Sequence, residues 1–569
     1  MGIVTIMGLF RGLGIRLVIA GKGRGFETGP SLVPYLLDRA CAKHWWFLRS
    51  GMVRVDAVAD AFVRIRRGAE PLLPGCMART RRGKLARRPM FFCRNKCWSR
   101  MFEPYSPIHS AEGETAVAAQ QLLDLIGNTP LVEITRMDAG PCRLFLKLES
   151  QNPGGSIKDR IGRSMIEAAE RDGKLKPGGT LIEATAGNTG LGLALVATLK
   201  GYKLILIVPD KMSREKIFHL KAMGAEVILT RSDVGKGHAE YYQDMADRIA
   251  RETGAFFVNQ FGNPANPLAH ETTTGPEIWK QMEHDVDAIV CGVGSAGTMT
   301  GLSRYFAKAS PGTEMILADP VGSVLADYVK TGKYGKAGSW LVEGIGEDFI
   351  PPIADFSRIK KAYSVSDEDA ANAVRELLSK EAILAGSSSG TLLTASLRYC
   401  REQTTPKRVV SFVCDSGNKY LSKVFNDYWM IEQGFIKREQ YGDLRDLITR
   451  RHDERATITI GPDDKLMAAY ARMKLYDISQ IPVLEDGKVI GIVDEWDLLT
   501  ATRESAGRFG DTVRSAMTQR LETVGLKTPL QKLLEAFNKG HVAIVVDNGK
   551  FYGLVTRMDV LNHLRNRAP

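Results

Sequence analysis

Four short constellations in the chain carry residue types suited to chemistry. In Asn152-Pro-Gly-Gly-Ser-Ile-Lys-Asp-Arg160, a proline and two glycines form a tight turn that feeds a helix, and Lys158 falls near the helix start. The helix dipole and a neighbouring cation both favour the neutral form of an amine so placed, which makes it a nucleophile for a carbonyl group. Thr185-Ala-Gly-Asn-Thr-Gly190 follows an apolar run and precedes a helical one. Exposed amides and short hydroxyl side chains at a helix N-terminus suit a carboxylate. Gly292-Val-Gly-Ser-Ala-Gly-Thr298 lies in the same kind of place, and its glycines let backbone N–H groups close on a phosphate. This stretch also fits G-x-G-x-x-G, and Asp319 follows Gly297 by 22 residues, so a dinucleotide site is a rival reading. Gly386-Ser-Ser-Ser-Gly390 reads alone as a helix-capping loop.

The elements that must position these residues alternate. Strand-like runs are expected at 142–148, 180–184, 203–208, 226–230, 256–259, 288–292 and 315–319. Helical patterns lie between them, at 161–172, at 191–200 and around 300–309. Alternation of this kind implies βαβ units and a mostly parallel sheet, in one α/β block from about 115 to 436. A charged stretch at 437–452 reads as a linker. A weak repeat follows. Its first copy holds a helix at 469–474, Gln480-Ile-Pro-Val-Leu484 and Gly491-Ile-Val-Asp-Glu-Trp-Asp497. Its second holds a helix at 530–539, His541-Val-Ala-Ile-Val-Val546 and Gly553-Leu-Val-Thr-Arg-Met-Asp559. Glu485-Asp-Gly and Asp547-Asn-Gly are hairpin turns.

The 569 residues carry a net charge of +12, which taken whole suggests a polyanionic partner. The charge is local. Residues 1–110 hold 20 basic and 6 acidic side chains, and residues 111–569 hold 57 and 59. The larger part therefore needs neither nucleic acid nor an anionic membrane as partner. For the basic segment an organelle transit sequence and a nucleic-acid-binding arm both compete with our preferred expectation: upstream sequence that is disordered or dispensable, with the functional chain starting at Met101 or a nearby Met. Cys93-x3-Cys97 lacks a second pair for a metal site. Eight cysteines in 569 residues are too few for a disulfide scaffold, which points to a reducing compartment. No apolar run reaches the ~18–20 residues of a membrane span.

Taken together and in this order, the four motifs resemble the fold-type II pyridoxal-phosphate enzymes of the cysteine synthase and cystathionine β-synthase family, over about residues 118–435. Leu125-Ile-Gly-Asn-Thr-Pro-Leu131 looks like the family's opening signature. The resemblance implies a two-subdomain, tryptophan synthase β-like α/β core. It assigns Lys158 to the cofactor aldehyde, Asn188 to the ring hydroxyl, and Gly294, Ser295, Ala296, Gly297 and Thr298 to the phosphate. Ala296 stands where the family often has glycine. The substrate carboxylate falls to Thr185, Gly187, Thr189 and Gln260, the last from Asn259-Gln-Phe. Ser388 faces the pyridine nitrogen, and a neutral hydroxyl there weakens the electron sink and favours loss of a β-substituent over transamination. Val342-Glu-Gly-Ile-Gly-Glu-Asp-Phe-Ile-Pro351 and Asp415-Ser-Gly-Asn-Lys-Tyr420 resemble the cystathionine-forming branch, with the carboxyl of Glu343 placed to help a poor leaving group depart.

The repeat resembles a tandem pair of CBS domains, at 453–507 and 510–567. Such pairs bind adenosyl ligands (S-adenosylmethionine, AMP or ATP). Thr556 and Asp559 match the contacts for ribose or phosphate in the second copy, while the first has Asp494 where a hydroxyl is usual. A haem, which animal relatives hold through a Cys and a His, is not expected from Cys97 and His109. The resemblance implies a cytoplasmic homodimer or homotetramer acting on small amino acids, with mitochondrial targeting by the extension a minor possibility. The expected reaction condenses L-serine or O-acetyl-L-serine with L-homocysteine to L-cystathionine. The alternative within the family is cysteine synthesis from O-acetylserine and sulfide. Outside it, the alternative is a non-catalytic nucleotide sensor.

Overall fold

In the computed structural model of the chain, residues 121–565 are described apart from Ala186 and Lys211, together with four short strands nearer the start. Those strands pair antiparallel, Ile3–Thr5 with Val18–Ala20 and Trp46–Leu48 with Gly51–Val53. The chain divides into two compact units, Met1–Glu114 and Thr115–Pro569. Expectations for the basic segment, for Cys93 and Cys97 and for His109 lie outside the described residues.

Two sheets organise the α/β block, one for each half of the two-subdomain core that the resemblance implies, where strand–helix alternation alone suggests one sheet. The smaller is all parallel, in the order Phe256–Phe257, Thr180–Ala184, Lys203–Pro209, Glu226–Thr230. The larger runs Ile359–Val365, Glu314–Pro320, Ala288–Gly292, Arg408–Phe412, Arg143–Lys147, Leu131–Ile134, and only the last pairing is antiparallel. Central strands such as Ala288-Ile-Val-Cys-Gly292 are unbroken apolar runs because helices cover both faces. Each sheet has its own core, one around Leu181, Leu206 and Val208, the other around Ile289, Ile316 and Val410. The strand expected at 256–259 ends early because Asn259 turns to φ +52°, which swings Gln260 inward.

The helices that carry the first two motifs, Lys158–Arg171 and Asn188–Lys200, cross at glycine. A Cβ on Gly192 would lie 2.5 Å from the Lys158 carbonyl oxygen, and one on Gly162 would lie 2.6 Å from the Gly192 carbonyl carbon. Only side-chain-free backbone permits that approach, and it brings the two motifs to one place. From Leu191 to Ala197 the second of these helices is apolar and buried on every side, as a segment enclosed in a core must be, and its last turn emerges at Thr198 and Leu199.

Each repeat copy folds as expected. The first runs Leu466–Tyr476, Gln480–Glu485, Lys488–Asp494 and Glu495–Thr502, and the second Leu530–Asn538, Ala543–Asp547, Lys550–Val555 and Arg557–Arg565. Both hairpins turn on a pair with positive φ, Asp486-Gly487 and Asn548-Gly549, which matches the right-handed twist of the strands. The stretch 437–452 does more than link. Leu444 and Ile448 are buried in the second copy's core with Leu533 and Val545, and Leu444 N–H donates to the Leu526 carbonyl at 3.0 Å. Those apolar residues are hidden in the sequence among charged neighbours. Among the described residues no helix is long and apolar enough to cross a membrane, and no cluster of metal-ligating side chains forms.

Candidate active site

A cavity of about 270 Å3 opens where the ends of the two sheets face each other. Every core residue that the sequence singles out for cofactor or substrate lines it.

Lys158 opens the helix Lys158–Arg171. The preceding turn holds Gly155 at φ +74°, and the Ile157 N–H donates to the Cys414 carbonyl at 2.9 Å. The residue is half-buried because it lines the cavity, while its amine is desolvated. That desolvation, with the Lys216 charge nearby, lowers the amine's pKa, and Cys414 and Asp415 pull the other way. Burial is the largest of these causes, and the neighbouring cation acts in the same direction.

At the second motif the Thr185 hydroxyl accepts from the Gly187 N–H at 3.1 Å, and Gly187 takes φ +127°. Thr189 donates to Gln260 Oε1 at 2.7 Å, and Gln260 Nε2 donates to the Ala184 carbonyl at 3.1 Å. These bonds fix a loop of small residues at the N-terminus of Asn188–Lys200. Asn188 is oriented from both sides: its amide donates to Asp415 Oδ2 at 2.8 Å, and Lys419 Nζ donates to its oxygen at 3.0 Å. Beneath the loop the Glu183 carboxyl is pushed up to about 8 by burial.

Residues 294–298 lead into the helix Gly297–Ala309. Ala296 adopts φ +70°, a left-handed conformation that glycine takes without cost. The loop has no room for added side chains: a Cβ on Gly294 would lie 2.7 Å from the Gly344 carbonyl oxygen, and one on Gly297 would lie 1.8 Å from Asn266 Oδ1. Buried Asn266 donates to Ser295 Oγ at 3.0 Å and to the Gln260 carbonyl at 2.7 Å, tying this loop to the carboxylate loop. His270 Nε2 sits 3.2 Å from Thr298 Oγ1, and burial drives its pKa far down, so the ring is neutral. A close glycine-lined cradle at a helix N-terminus is a donor set that fits a phosphate. Asp319, required by the dinucleotide reading, lies elsewhere. It is buried and accepts from the Ala326 N–H at 2.9 Å.

Ser388 lies at the start of the helix Ser387–Arg401, facing the cavity beside Cys414, whose thiol burial pushes up to about 12. Its neighbour Ser387 accepts from the Glu343 N–H at 3.2 Å. The Glu343 carboxylate is 6 % exposed and is held by two ammonium groups, Lys216 at 2.8 Å and Lys423 at 2.7 Å. Burial alone would raise its pKa, but the two cations win and hold it below the usual value. Lys216 also donates to the Tyr420 hydroxyl at 2.8 Å, which donates to Asp415 Oδ2 at 2.8 Å. Lys216, Lys423, Asn266 and His270 lie in no motif, and no local pattern in the sequence marks them.

Thr556 and Asp559 lie outside this cavity, at the start of Arg557–Arg565. The Thr556 N–H and hydroxyl donate to Asp559 Oδ2 at 2.7 and 2.6 Å, and the Thr449 hydroxyl donates to the other oxygen. In the first copy Asp494 caps its helix, accepting from the Asp497 N–H at 2.8 Å.

A family described as pyridoxal-phosphate dependent enzyme matches residues 122–415, and the CBS domain matches 445–504 and 513–566. The chain is 35% identical over 463 residues to cystathionine β-synthase of Dictyostelium discoideum, covering 78% of this chain and 92% of that protein. It is 41% identical over 301 residues to cysteine synthase A of Escherichia coli, covering 52% of this chain and 92% of that one. A solved hydrogen sulfide-producing enzyme from Fusobacterium nucleatum superposes with a TM-score of 0.50 at 37% identity, over 53% of this chain and all of that one.

Proposed function

The chain belongs to the pyridoxal-phosphate-dependent enzyme family and carries a C-terminal pair of CBS domains, and from that we propose a β-replacement that condenses L-serine, or O-acetyl-L-serine, with L-homocysteine to L-cystathionine. The observation that carries the choice of reaction is buried Glu343, ion-paired on the wall of the cavity that holds Lys158. Charged groups positioned there serve a substrate whose leaving group is poor. The relatives that cover most of this chain support the same choice, since several are named cystathionine β-synthase.

Pyridoxal phosphate, when bound, supplies the electron sink that makes the substrate α-proton acidic and lets the β-substituent depart. The rest falls to the chain. Residues 294–298 bind the phosphate through backbone N–H groups and the hydroxyls of Ser295 and Thr298. Asn188 bonds the ring hydroxyl, held in orientation by Lys419 and Asp415. Ser388 gives the ring nitrogen a neutral partner. Thr185, Gly187, Thr189 and Gln260 grip the substrate carboxylate. Lys158 holds the cofactor aldehyde until the substrate amine replaces it, and then, as a desolvated amine, it takes the α-proton. Glu343 stays ionised throughout, clamped by its two lysines.

The second CBS copy, through Thr556 and Asp559, would take an adenosyl ligand. We place the catalytic domain at 115–436 and the CBS copies at 453–507 and 510–567, in a cytoplasmic homodimer or homotetramer. Mass spectrometry of products from serine or O-acetylserine with homocysteine, run beside an absorption spectrum, tests the proposal. Cystathionine formed by protein with a cofactor band supports it. Cysteine from O-acetylserine and sulfide, with no cystathionine from either donor, supports the cysteine synthase reading, which the 41% identity to cysteine synthase A favours.

A further inference from the structure

We propose that Lys216 is the acid that protonates the departing β-hydroxyl of serine, with Glu343 as the group that holds it in place. The inference rests on the β-replacement reading above and assigns the proton that this reaction needs. A serine hydroxyl cannot leave as hydroxide at a useful rate, so a proton must reach its oxygen as the C–O bond breaks. Acetate, by contrast, leaves unaided.

Glu343 does not have that proton. Its two oxygens each accept from an ammonium, Lys216 on one and Lys423 on the other. Lys216 does have it. The side chain is 1 % exposed, bonded to Glu343 Oε2 and to the Tyr420 hydroxyl, with its ammonium 4.6 Å from the centre of the Tyr420 ring. An ammonium has three donors, and those two partners use two of them. The third is available to the cavity that Lys216 lines together with Lys158. The stem of Lys216 packs on the carboxylate loop, since a Cβ on Gly187 would lie 2.7 Å from its Cδ. Its charge also reaches the Lys158 amine. A substrate whose carboxylate sits on that loop and whose α-carbon faces Lys158 therefore has Lys216 beside it.

The step balances. Lys158 takes the proton from Cα. The Cβ–O bond breaks with its electron pair passing to oxygen, Lys216 gives that oxygen one proton, and water leaves. Lys216 remains as a neutral amine against Glu343. The incoming thiol then gives its proton to that amine, sulfur forms the bond to Cβ with its own electron pair, and Lys158 returns the proton to Cα. Serine and a thiol become a thioether and water, and both lysines end as they began.

The test uses the holoenzyme and its Lys216→Met and Lys216→Arg variants, with homocysteine as the thiol and serine or O-acetylserine as the donor. The ratio of the two donors' kcat/KM values is read because it covers the steps up to departure of the β-substituent and leaves out the thiol step. Loss of a general acid costs about 10²–10⁴-fold. The ratio of serine to O-acetylserine kcat/KM should therefore fall by about 100-fold or more in both variants. Arginine keeps the charge beside Glu343 but does not give up its proton, so the Arg variant separates acid from cation even where the Met variant folds poorly. Cofactor absorbance and the thermal midpoint report on folding. A fall of both donors' kcat/KM values by one common factor would assign Lys216 to packing alone. Both values left at the native level would assign the donor role to Lys158. Either result overturns the inference while leaving the β-replacement reading intact. A native enzyme that uses O-acetylserine but not serine also overturns it, and one that makes no thioether from either donor overturns the reading beneath it.

Discussion

Replacing Gly297 by alanine should cost the enzyme its cofactor. Gly297 opens the helix Gly297–Ala309, where an alanine would normally gain up to about 1 kcal/mol of helix propensity. Here the new Cβ would stand 1.8 Å from Asn266 Oδ1 and 2.5 Å from its Cγ. Asn266 is fully buried and must move, which breaks its bonds to Ser295 Oγ and to the Gln260 carbonyl. Each buried group left without a partner costs about 1–3 kcal/mol, and the overpacking adds about 1–3 more. Taking the low end of all three and subtracting the propensity gain leaves about 2–3 kcal/mol. Because the displaced bonds shape the phosphate cradle, that cost falls on the loaded state, as a rise of about 30- to 150-fold in the dissociation constant for pyridoxal phosphate. Titration of the dialysed apoenzyme, followed by cofactor absorbance, measures it. Adding Asn266→Ala to Gly297→Ala removes the clash, so the double variant should lose less than the two single losses summed. An affinity within about threefold of the native value in Gly297→Ala, or strict additivity in the double variant, would refute the reasoning.

Three further predictions follow from the same region. Ala296→Gly relieves a left-handed conformation that costs a non-glycine residue about 1–2 kcal/mol, so its urea midpoint should rise, and an unchanged or lower midpoint would contradict the reading of residue 296. Glu183 has a carboxyl raised from 4.5 to about 8 by burial, so between those values the unfolded chain has released a proton that the folded chain keeps. Stability attributable to this group therefore falls as pH rises through that window, and Glu183→Gln should stabilise the protein at pH 8 by more than at pH 5; a pH-independent difference in thermal midpoint would count against it. Arg160, nearly inaccessible, pairs with Glu149 at 2.8 Å and Glu277 at 2.7 Å, and the cations around Glu277 hold its carboxyl down to about 2. Arg160→Met should cost about 3–5 kcal/mol because it strands buried charge, and a loss under about 1 kcal/mol in urea unfolding would show that the network relaxes or takes up protons freely.

What could be seen in the sequence was local. Each of the four motifs is a loop of small residues between an apolar strand and a helix, and such a loop advertises itself within ten residues. The strands at Thr180–Ala184, Glu226–Thr230 and Ala288–Gly292 begin and end where their patterns do; the first and third are buried inner strands of parallel sheets, while Glu226–Thr230 is an edge whose apolar run Val227-Ile-Leu229 is still unbroken. Three strands gave no such signal. Ile359–Val365 is a sheet edge with two lysines in its run, Leu131–Ile134 is a four-residue edge, and Arg408–Phe412 is short and follows a charged turn. The division of ten strands between two sheets depends on long-range pairing such as Arg143–Lys147 with Arg408–Phe412, which no local pattern encodes.

The same distinction separates the parts of the site. Lys158 announces its role because its turn, its helix and its neighbours are adjacent in the chain. Lys216 sits in Arg214-Glu-Lys-Ile217, which reads as the charged start of a surface helix, and nothing nearby hints that one of those charges is buried. Its partner Glu343 is 127 residues away, and Lys423 lies 80 residues beyond Glu343. The cost of burying these charges is met only when all three arrive together, since two ammoniums offset the desolvation of one carboxylate and that carboxylate anchors both. A sequence pattern can place Glu343 in a loop of the right kind, but its protonation state is a property of the assembled trio. That state decides its chemistry. Read alone, Glu343 is a candidate proton donor; clamped between Lys216 and Lys423 it accepts from both, and Lys216 is the donor we propose for a poor leaving group.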